Sequence, residues 1–187
     1  MTSSEPSGRP ALVLIGPMGA GKTSIGRRVA RALGLPFRDT DSEIVKEHGP
    51  IPEIFERLGE PAFRAIEHDT VRRVIGEGGI IALGGGAPMH PDTRAALRGT
   101  PVVLLTVAEH VIAARIRGQK RPLLNRDDRD PVAEWTRIRD ERMPVYESVS
   151  SVVFDTSSGP MQGVVDRIVA WARAEAIAPQ TQEDQDD

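Results

Sequence analysis

The segment Gly16-Pro-Met-Gly-Ala-Gly-Lys22-Thr23 constrains this chain more than any other part of it. It fits the pattern G-x-x-x-x-G-K-[ST], and its flanks are those the pattern requires. Ahead of it, Ala11-Leu-Val-Leu-Ile15 is an unbroken apolar run, as in a strand buried on both faces. Behind it, Ile25, Val29 and Leu33 recur at i, i+4 and i+8, the apolar stripe of a helix that Gly34 stops. Strand, glycine loop and helix in this order point to one chemistry. The glycines let the backbone curl so that successive N–H groups face phosphate oxygens. The helix N-terminus adds the positive end of its dipole. Lys22 then reaches the β- and γ-phosphates, and Thr23 offers a hydroxyl to Mg²⁺. An incidental glycine-rich turn with a capping threonine is the alternative, and both flanks argue against it.

The rest of the chain alternates in the same way. Leu35-Pro36-Phe37, Ile80–Leu83, Val102–Val107 and Val152–Phe154 read as further strands. Helices are expected over 42–48 and 52–58, broken by Gly49-Pro50, and from Pro61 to about Ile75. More are expected over 91–98, 108–117, 131–147 and 160–177. Alternating strands and helices predict an α/β fold with a parallel sheet covered on both faces. The organisation is one domain over 11–177, a flexible lead over 1–10 and an acidic, disordered tail over 178–187.

Composition removes whole classes of function. The chain has 187 residues and no cysteine, which excludes disulfides, thiolate metal sites and cysteine nucleophiles. It has no apolar run of membrane-spanning length, and Met1–Pro10 lacks the layout of a signal peptide, so a cytoplasmic protein without membrane contact is expected. The formal charge of −3 is carried by the tail, where Glu183, Asp184, Asp186 and Asp187 stand without a base. Of the 24 basic residues only Lys22, Lys46 and Lys120 are lysines. Compositional bias explains most of that arginine excess; what matters is whether particular arginines converge on an anion.

In an open parallel sheet, ligands bind beyond the carboxyl ends of the strands. After the second strand comes Asp39-Thr40-Asp41, where two carboxylates could divide labour between the Mg²⁺ shell and an acceptor hydroxyl. Equally, Asp41 could be the N-cap of the next helix. After the third comes Gly84-Gly85-Gly86, open to a ligand on bare backbone or a tight turn before Pro88. Arg64 and Glu67 lie three apart and can pair on one helix face. Residues 115–126 carry Arg115, Arg117, Lys120, Arg121 and Arg126 with no acid among them, suiting a mobile lid over phosphates or a solvated loop. Arg142 lies in Asp140-Glu-Arg-Met-Pro144, where a helix meets a proline, and taken alone says little.

Together GPMGAGKTSIGR, FRDTDSEI, IFERLGEPAFRAIE, LGGGAP, RPLL and ERMPVY resemble the shikimate kinases, in order and spacing, over roughly residues 11 to 170. The first motif is generic; DTD with FRAIE, GGG and RPLL is specific. The resemblance implies a three-layer sandwich around a five-stranded parallel sheet of order 2-3-1-4-5, a P-loop kinase with a mobile lid over about 115–130. It implies ATP as co-substrate at Gly19, Ala20, Gly21, Lys22, Thr23 and Ser24, with Arg115 or Arg117 against adenine. Mg²⁺ would be held by Thr23 and, through water, by Asp39. Shikimate would occupy the region of residues 39–67, bound by Asp41, Arg64, Arg142 and the Gly85 backbone, with Glu67 orienting Arg64 and Phe55 and Phe63 shaping the pocket. Asp41 would orient or deprotonate the attacking 3-hydroxyl, while Lys22 and Arg121 neutralise the transferring phosphate.

Two departures stand out. The RIRGQK stretch before Arg121 is about a residue short, and Thr156–Pro160 holds only small residues where relatives carry a long polar one. The expected activity is phosphorylation of the shikimate 3-hydroxyl by ATP, in a monomer. The competitors are a sugar-acid kinase of the gluconate kinase type and a nucleotide-sensing protein that has lost transfer. FRAIE and RPLL argue against the first; the intact Asp41, Arg64 and Arg142 argue against the second. A nucleic-acid partner is not expected in an acidic chain with 4% aromatics.

Overall fold

The structure, a computed structural model, describes residues 10–116 and 130–175. The expected lead, tail and most of the expected lid lie outside them. The strands are β1 (Ala11–Ile15), β2 (Phe37–Asp39), β3 (Gly79–Ala82), β4 (Val102–Thr106) and β5 (Val152–Asp155). They form one parallel sheet in the order β2-β3-β1-β4-β5, as the resemblance implied. The helices are α1 (Lys22–Leu33), α2 (Thr40–His48), α3 (Ile51–Glu77), α4 (Pro91–Ala96), α5 (Glu109–Ile116), α6 (Pro131–Val149) and α7 (Met161–Ala174), with a 3₁₀ turn over Ala87–Met89.

Side chains alternate across each strand, so the apolar runs supply two cores. Leu12, Leu14, Val103 and Leu105 pack with Ile25 and Val29 of α1 and Val165 and Ile168 of α7. Val13, Ile15, Ile81 and Leu104 pack on the other face with Val71 and Val74 of α3. Each such buried side chain stabilises the fold by about 1.5–3 kcal/mol relative to exposure. Helix α6 belongs to both cores, with Trp135 in the first and Tyr146 in the second. A third, small cluster of Ile44, Ile54 and Phe63 joins α2 to α3.

Element types match the sequence reading, and several boundaries move. The second strand is 37–39 rather than 35–37, because Phe37 and Asp39 pair with Ile80 and Ala82. Helix α2 starts at Thr40, ahead of the expected 42, because the Asp39 carboxylate accepts from Ser42 N at 3.2 Å and caps it. The helices expected on either side of residue 60 run together as α3, which leaves helical geometry only at Gly59 (φ 78°, ψ 170°). Pro144 lies inside α6, as the expected helix over 131–147 implies. The helix gives up one backbone bond there and continues because Tyr146, further along it, packs in the core.

Candidate active site

All the candidate groups within the described residues gather at the carboxyl edge of the sheet. Gly16 follows β1 directly, and the loop re-enters α1 behind Gly21. The Lys22 ammonium lies across this loop, donating to the Gly16 carbonyl at 2.8 Å and the Pro17 carbonyl at 3.1 Å. Two further side chains pin the loop from outside. Trp135 Nε1 donates to the Met18 carbonyl at 2.8 Å. Thr156 Oγ1 stands 3.1 Å from the Ala20 carbonyl and 2.9 Å from that of Thr106, so one hydroxyl bridges the loop and β4. Gly19, Ala20, Gly21, Thr23 and Ser24 thus sit in a loop and first helical turn fixed against both α6 and the strand edge. Such rigid support is what phosphate positioning needs.

The two carboxylates after β2 have separate environments. Asp39 Oδ2 accepts from Thr23 Oγ1 at 2.6 Å, while its other oxygen caps α2. The cap is therefore Asp39, not Asp41, which corrects the competing reading of Asp41. Asp41 lies one residue into the helix and lines the neighbouring cavity. It is open to solvent at the cavity mouth, yet protein surrounds it on the other sides. That desolvation raises its carboxyl above the ordinary carboxylate range, and the nearby Asp39 charge adds to the effect, with Lys22 and Arg64 opposing.

The cavity measures about 800 Å³. Its polar walls are Asp41, Arg64, Glu67, Arg142 and the Gly84-Gly85-Gly86 backbone, and Phe55 and Phe63 line an apolar side. The two rings lie 4.4 Å apart. Arg64 donates to the buried Glu67 at 2.6 Å and to the exposed Glu60 at 3.3 Å. Burial pushes the Glu67 carboxyl up, and the Arg64 guanidinium opposes that shift. A guanidinium gripped on one edge by carboxylates keeps its remaining donors in a fixed direction. The outer face of α2 is held in turn by Arg73, which reaches Glu47 at 2.6 Å and Glu77 at 3.1 Å.

At Gly84 and Gly86 the neighbours leave no room for a side chain. A Cβ on Gly84 would fall 2.5 Å from Asp41 Oδ1 and 3.2 Å from Glu67 Oε1. One on Gly86 would fall 2.7 Å from Arg64 Nη1. Gly84→Ala is therefore expected to displace Asp41 while leaving the fold near its parental stability, since Asp41 can rotate toward the mouth. Turnover should drop by more than about tenfold, since a misplacement of about 1 Å can cost that and more. Turnover equal to the parent's, with an unchanged melting temperature, would contradict this.

The structure thus brings Lys22, Thr23, Asp39, Asp41, Arg64, Gly85 and Arg142 to one region. Arg117 and Arg121 lie outside the described residues, and only the backbone of Arg115, in α5, is within them. Sequence reading missed Glu60, Trp135, Tyr146 and Thr156. Nothing in the local sequence marks Tyr146 or Trp135; that both sit on the helix carrying Arg142 is the available signal. Thr156 lies in the stretch noted for its small residues, and its hydroxyl, not its size, is what the loop uses. Among the described residues no three His, Cys, Asp or Glu side chains form a metal cluster, and no helix is long and apolar enough to cross a membrane.

Comparison with known proteins bears on the same region. The family model described as shikimate kinase matches residues 18–173. A shikimate kinase of Corynebacterium efficiens is 42% identical over 163 residues, 86% of this chain and 95% of that protein. One of Saccharopolyspora erythraea is 41% identical over 172 residues, covering 90% of this chain and 97% of its own. Among solved structures, a shikimate kinase from Acinetobacter baumannii in complex with shikimate superposes with a TM-score of 0.81 at 32% identity. It covers 89% of this chain and 94% of its own.

Proposed function

The chain belongs to the shikimate kinase family, and from that premise we propose how its own residues carry out transfer of the γ-phosphoryl of ATP to the 3-hydroxyl of shikimate. It is an ATP-dependent kinase, a transferase acting on a hydroxyl group. The observation that carries the residue assignment is the meeting of the phosphate loop and the acceptor cavity at one wall. A Cβ on Gly85 would stand 3.6 Å from the Gly16 carbonyl and 3.7 Å from Arg142 Nη1. Donor phosphates on the loop and an acceptor in the cavity are then neighbours, as direct in-line transfer requires.

Shikimate is a small polyhydroxylated carboxylate. Arg64 and Arg142 supply guanidinium forks that match its carboxylate. Glu67, with Glu60 beside it, holds Arg64 to that direction. Asp41 accepts a hydrogen bond from the attacking hydroxyl, orients it and takes its proton as the bond to phosphorus forms. The Gly85 backbone and the Phe55 and Phe63 rings bound the rest of the ligand. Lys22 lies against the phosphate charge, and Ser24 with the Gly19–Gly21 backbone holds the phosphate tail. In this reading Arg121 would neutralise charge on the transferring group and Arg115 would contact adenine.

The oxygen donors of Thr23 and Asp39 suit a hard divalent cation. They stand 2.6 Å apart, and Mg²⁺ characteristically takes one or two protein oxygens beside phosphates and water. These two residues would hold Mg²⁺, Asp39 through water. When bound, the ion would neutralise charge on the phosphate oxygens. A monomer located in the cytoplasm, without nucleic-acid partners, completes the proposal.

The test is purified protein with MgATP and shikimate, quinate or gluconate, following ADP release. ADP formation that depends on shikimate is expected. If gluconate alone supports turnover, the sugar-acid kinase reading takes its place. If none of the three does while nucleotide still binds, the protein is a sensor that has lost transfer.

A further inference from the structure

Helix α6 carries three groups to the site, and only Arg142 has a role in the transfer as described above. Trp135, toward its start, fastens it to the Met18 carbonyl of the phosphate loop. Tyr146, one turn beyond Arg142, is fully buried and donates its hydroxyl proton to the Gly85 carbonyl at 2.5 Å. The Arg142 guanidinium lies close to the same hydroxyl, where its positive charge acts on the oxygen. A tyrosine hydroxyl has one proton and lone pairs to accept with. With the proton directed at Gly85, the lone pairs are left for the positive charge of Arg142.

We propose that Tyr146 is a positioning residue for the acceptor site, holding the triglycine wall and the Arg142 guanidinium in one fixed arrangement and so governing shikimate affinity without touching the substrate. The inference rests on the cavity being the shikimate site. Its geometric basis is the convergence at Gly85. A Cβ there would lie 3.6 Å from Tyr146 Oη, 3.6 Å from the Gly16 carbonyl and 3.7 Å from Arg142 Nη1. Without the hydroxyl, the Gly85 peptide and the arginine lose the atom that keeps them in register. Binding a carboxylate then requires ordering both first, which weakens affinity. Burial also raises the Tyr146 hydroxyl above the usual tyrosine range, which keeps the donor protonated. The phosphate loop has its own tether in Trp135, so the nucleotide side should not feel the change.

The experiment is steady-state kinetics on Tyr146→Phe, Arg142→Ala and the double variant beside the wild-type chain, with thermal melts of each. Tyr146→Phe removes one oxygen and keeps the ring that fills the core. It should raise the shikimate KM about tenfold, equivalent to ~1.4 kcal/mol, with the ATP KM within about twofold and kcat affected less than KM. In the Arg142→Ala background the same change should add little, because the two groups act as a unit. An unchanged shikimate KM, or full additivity in the double variant, would overturn the proposal. So would both KM values rising together with a lower melting temperature, or failure to fold, since the hydroxyl would then be a structural requirement only. Absence of shikimate-dependent turnover in the wild type would instead remove the functional reading beneath it, an outcome distinct from an active wild type with an indifferent variant.

Discussion

Asp41→Asn should lose phosphoryl transfer almost entirely, by roughly 100- to 10,000-fold in kcat, the usual worth of a positioned proton acceptor. Asparagine has nearly the same shape but cannot take the hydroxyl proton. Nucleotide binding should persist, because Lys22 and Thr23 keep their contacts with Gly16, Pro17 and Asp39 without Asp41. The helix should persist as well, because its cap is Asp39. ADP release with shikimate, set against titration with nucleotide alone, separates these effects. Wild-type turnover would leave Asp41 as a solvated first-turn residue and nothing more.

The same substitution carries a stability signature of opposite sign. Burial raises the folded-state pKa of Asp41 above its unfolded value. Between those two values the folded chain binds more protons than the unfolded chain, so stability falls as pH rises through the folded pKa. At neutral pH the carboxylate is thus a burden on the fold. Asp41→Asn should melt higher than the parent at pH 7, and the advantage should shrink as pH is lowered through the folded pKa. In the wild type, turnover should fail on the acid side at a pH above that of an ordinary carboxylate, as Asp41 takes up its proton. A variant less stable than the parent at pH 7 would mean that Asp41 makes a structural contact.

Gly16→Ala should act on the fold rather than on the chemistry. Gly16 has φ 138°, a conformation that side-chain-bearing residues rarely adopt. Its Cβ would run into the Leu105 carbonyl oxygen, which belongs to the backbone of β4 and cannot swing aside. Relief would require parting β1 from β4 where they pair, at Ile15 and Leu104. Strain of ~1–3 kcal/mol and overpacking of ~1–3 kcal/mol together suggest a loss of about 3 kcal/mol. For a chain of this size that is a drop of roughly 6–12 °C in melting temperature. Nucleotide affinity should fall with it, because the loop leaves β1 through this residue. An alanine variant that melts with the parent and binds nucleotide normally would show that the loop is more plastic than its contacts suggest. Gly84→Ala is the useful contrast, since its clash is with side chains that can turn.

Much of this site could be read from residue order. The phosphate loop was plain because its motif is contiguous, with its strand before it and its helix after it. Strand and helix types followed from apolar runs and 3.6-residue spacing, and boundaries erred where pairing partners, invisible in sequence, set the ends. Asp39 and Asp41 show the limit of local reading. Both are acidic, two apart, and either could cap the helix. Asp39 caps because it is the last residue of β2, paired with Ala82 more than forty residues away, and its other oxygen meets the Thr23 hydroxyl at 2.6 Å. Tyr146 and Trp135 were hidden for a related reason. A buried aromatic looks the same in sequence whether or not its polar tip holds a loop.

The order of residues along this chain settles which elements form, that phosphate is held after the first strand, and which charged residues are available to the site. Those properties depend on backbone sterics and on periodicities a few residues long. Folding decides which of these residues meet. Arg64 from α3, Gly85 after β3, Asp41 from α2 and Arg142 from α6 become neighbours only because the sheet order brings β3 beside β1 and lays α6 across their carboxyl ends. Distances of a few ångströms between residues tens of positions apart are set by packing of the two cores, and no local rule contains them.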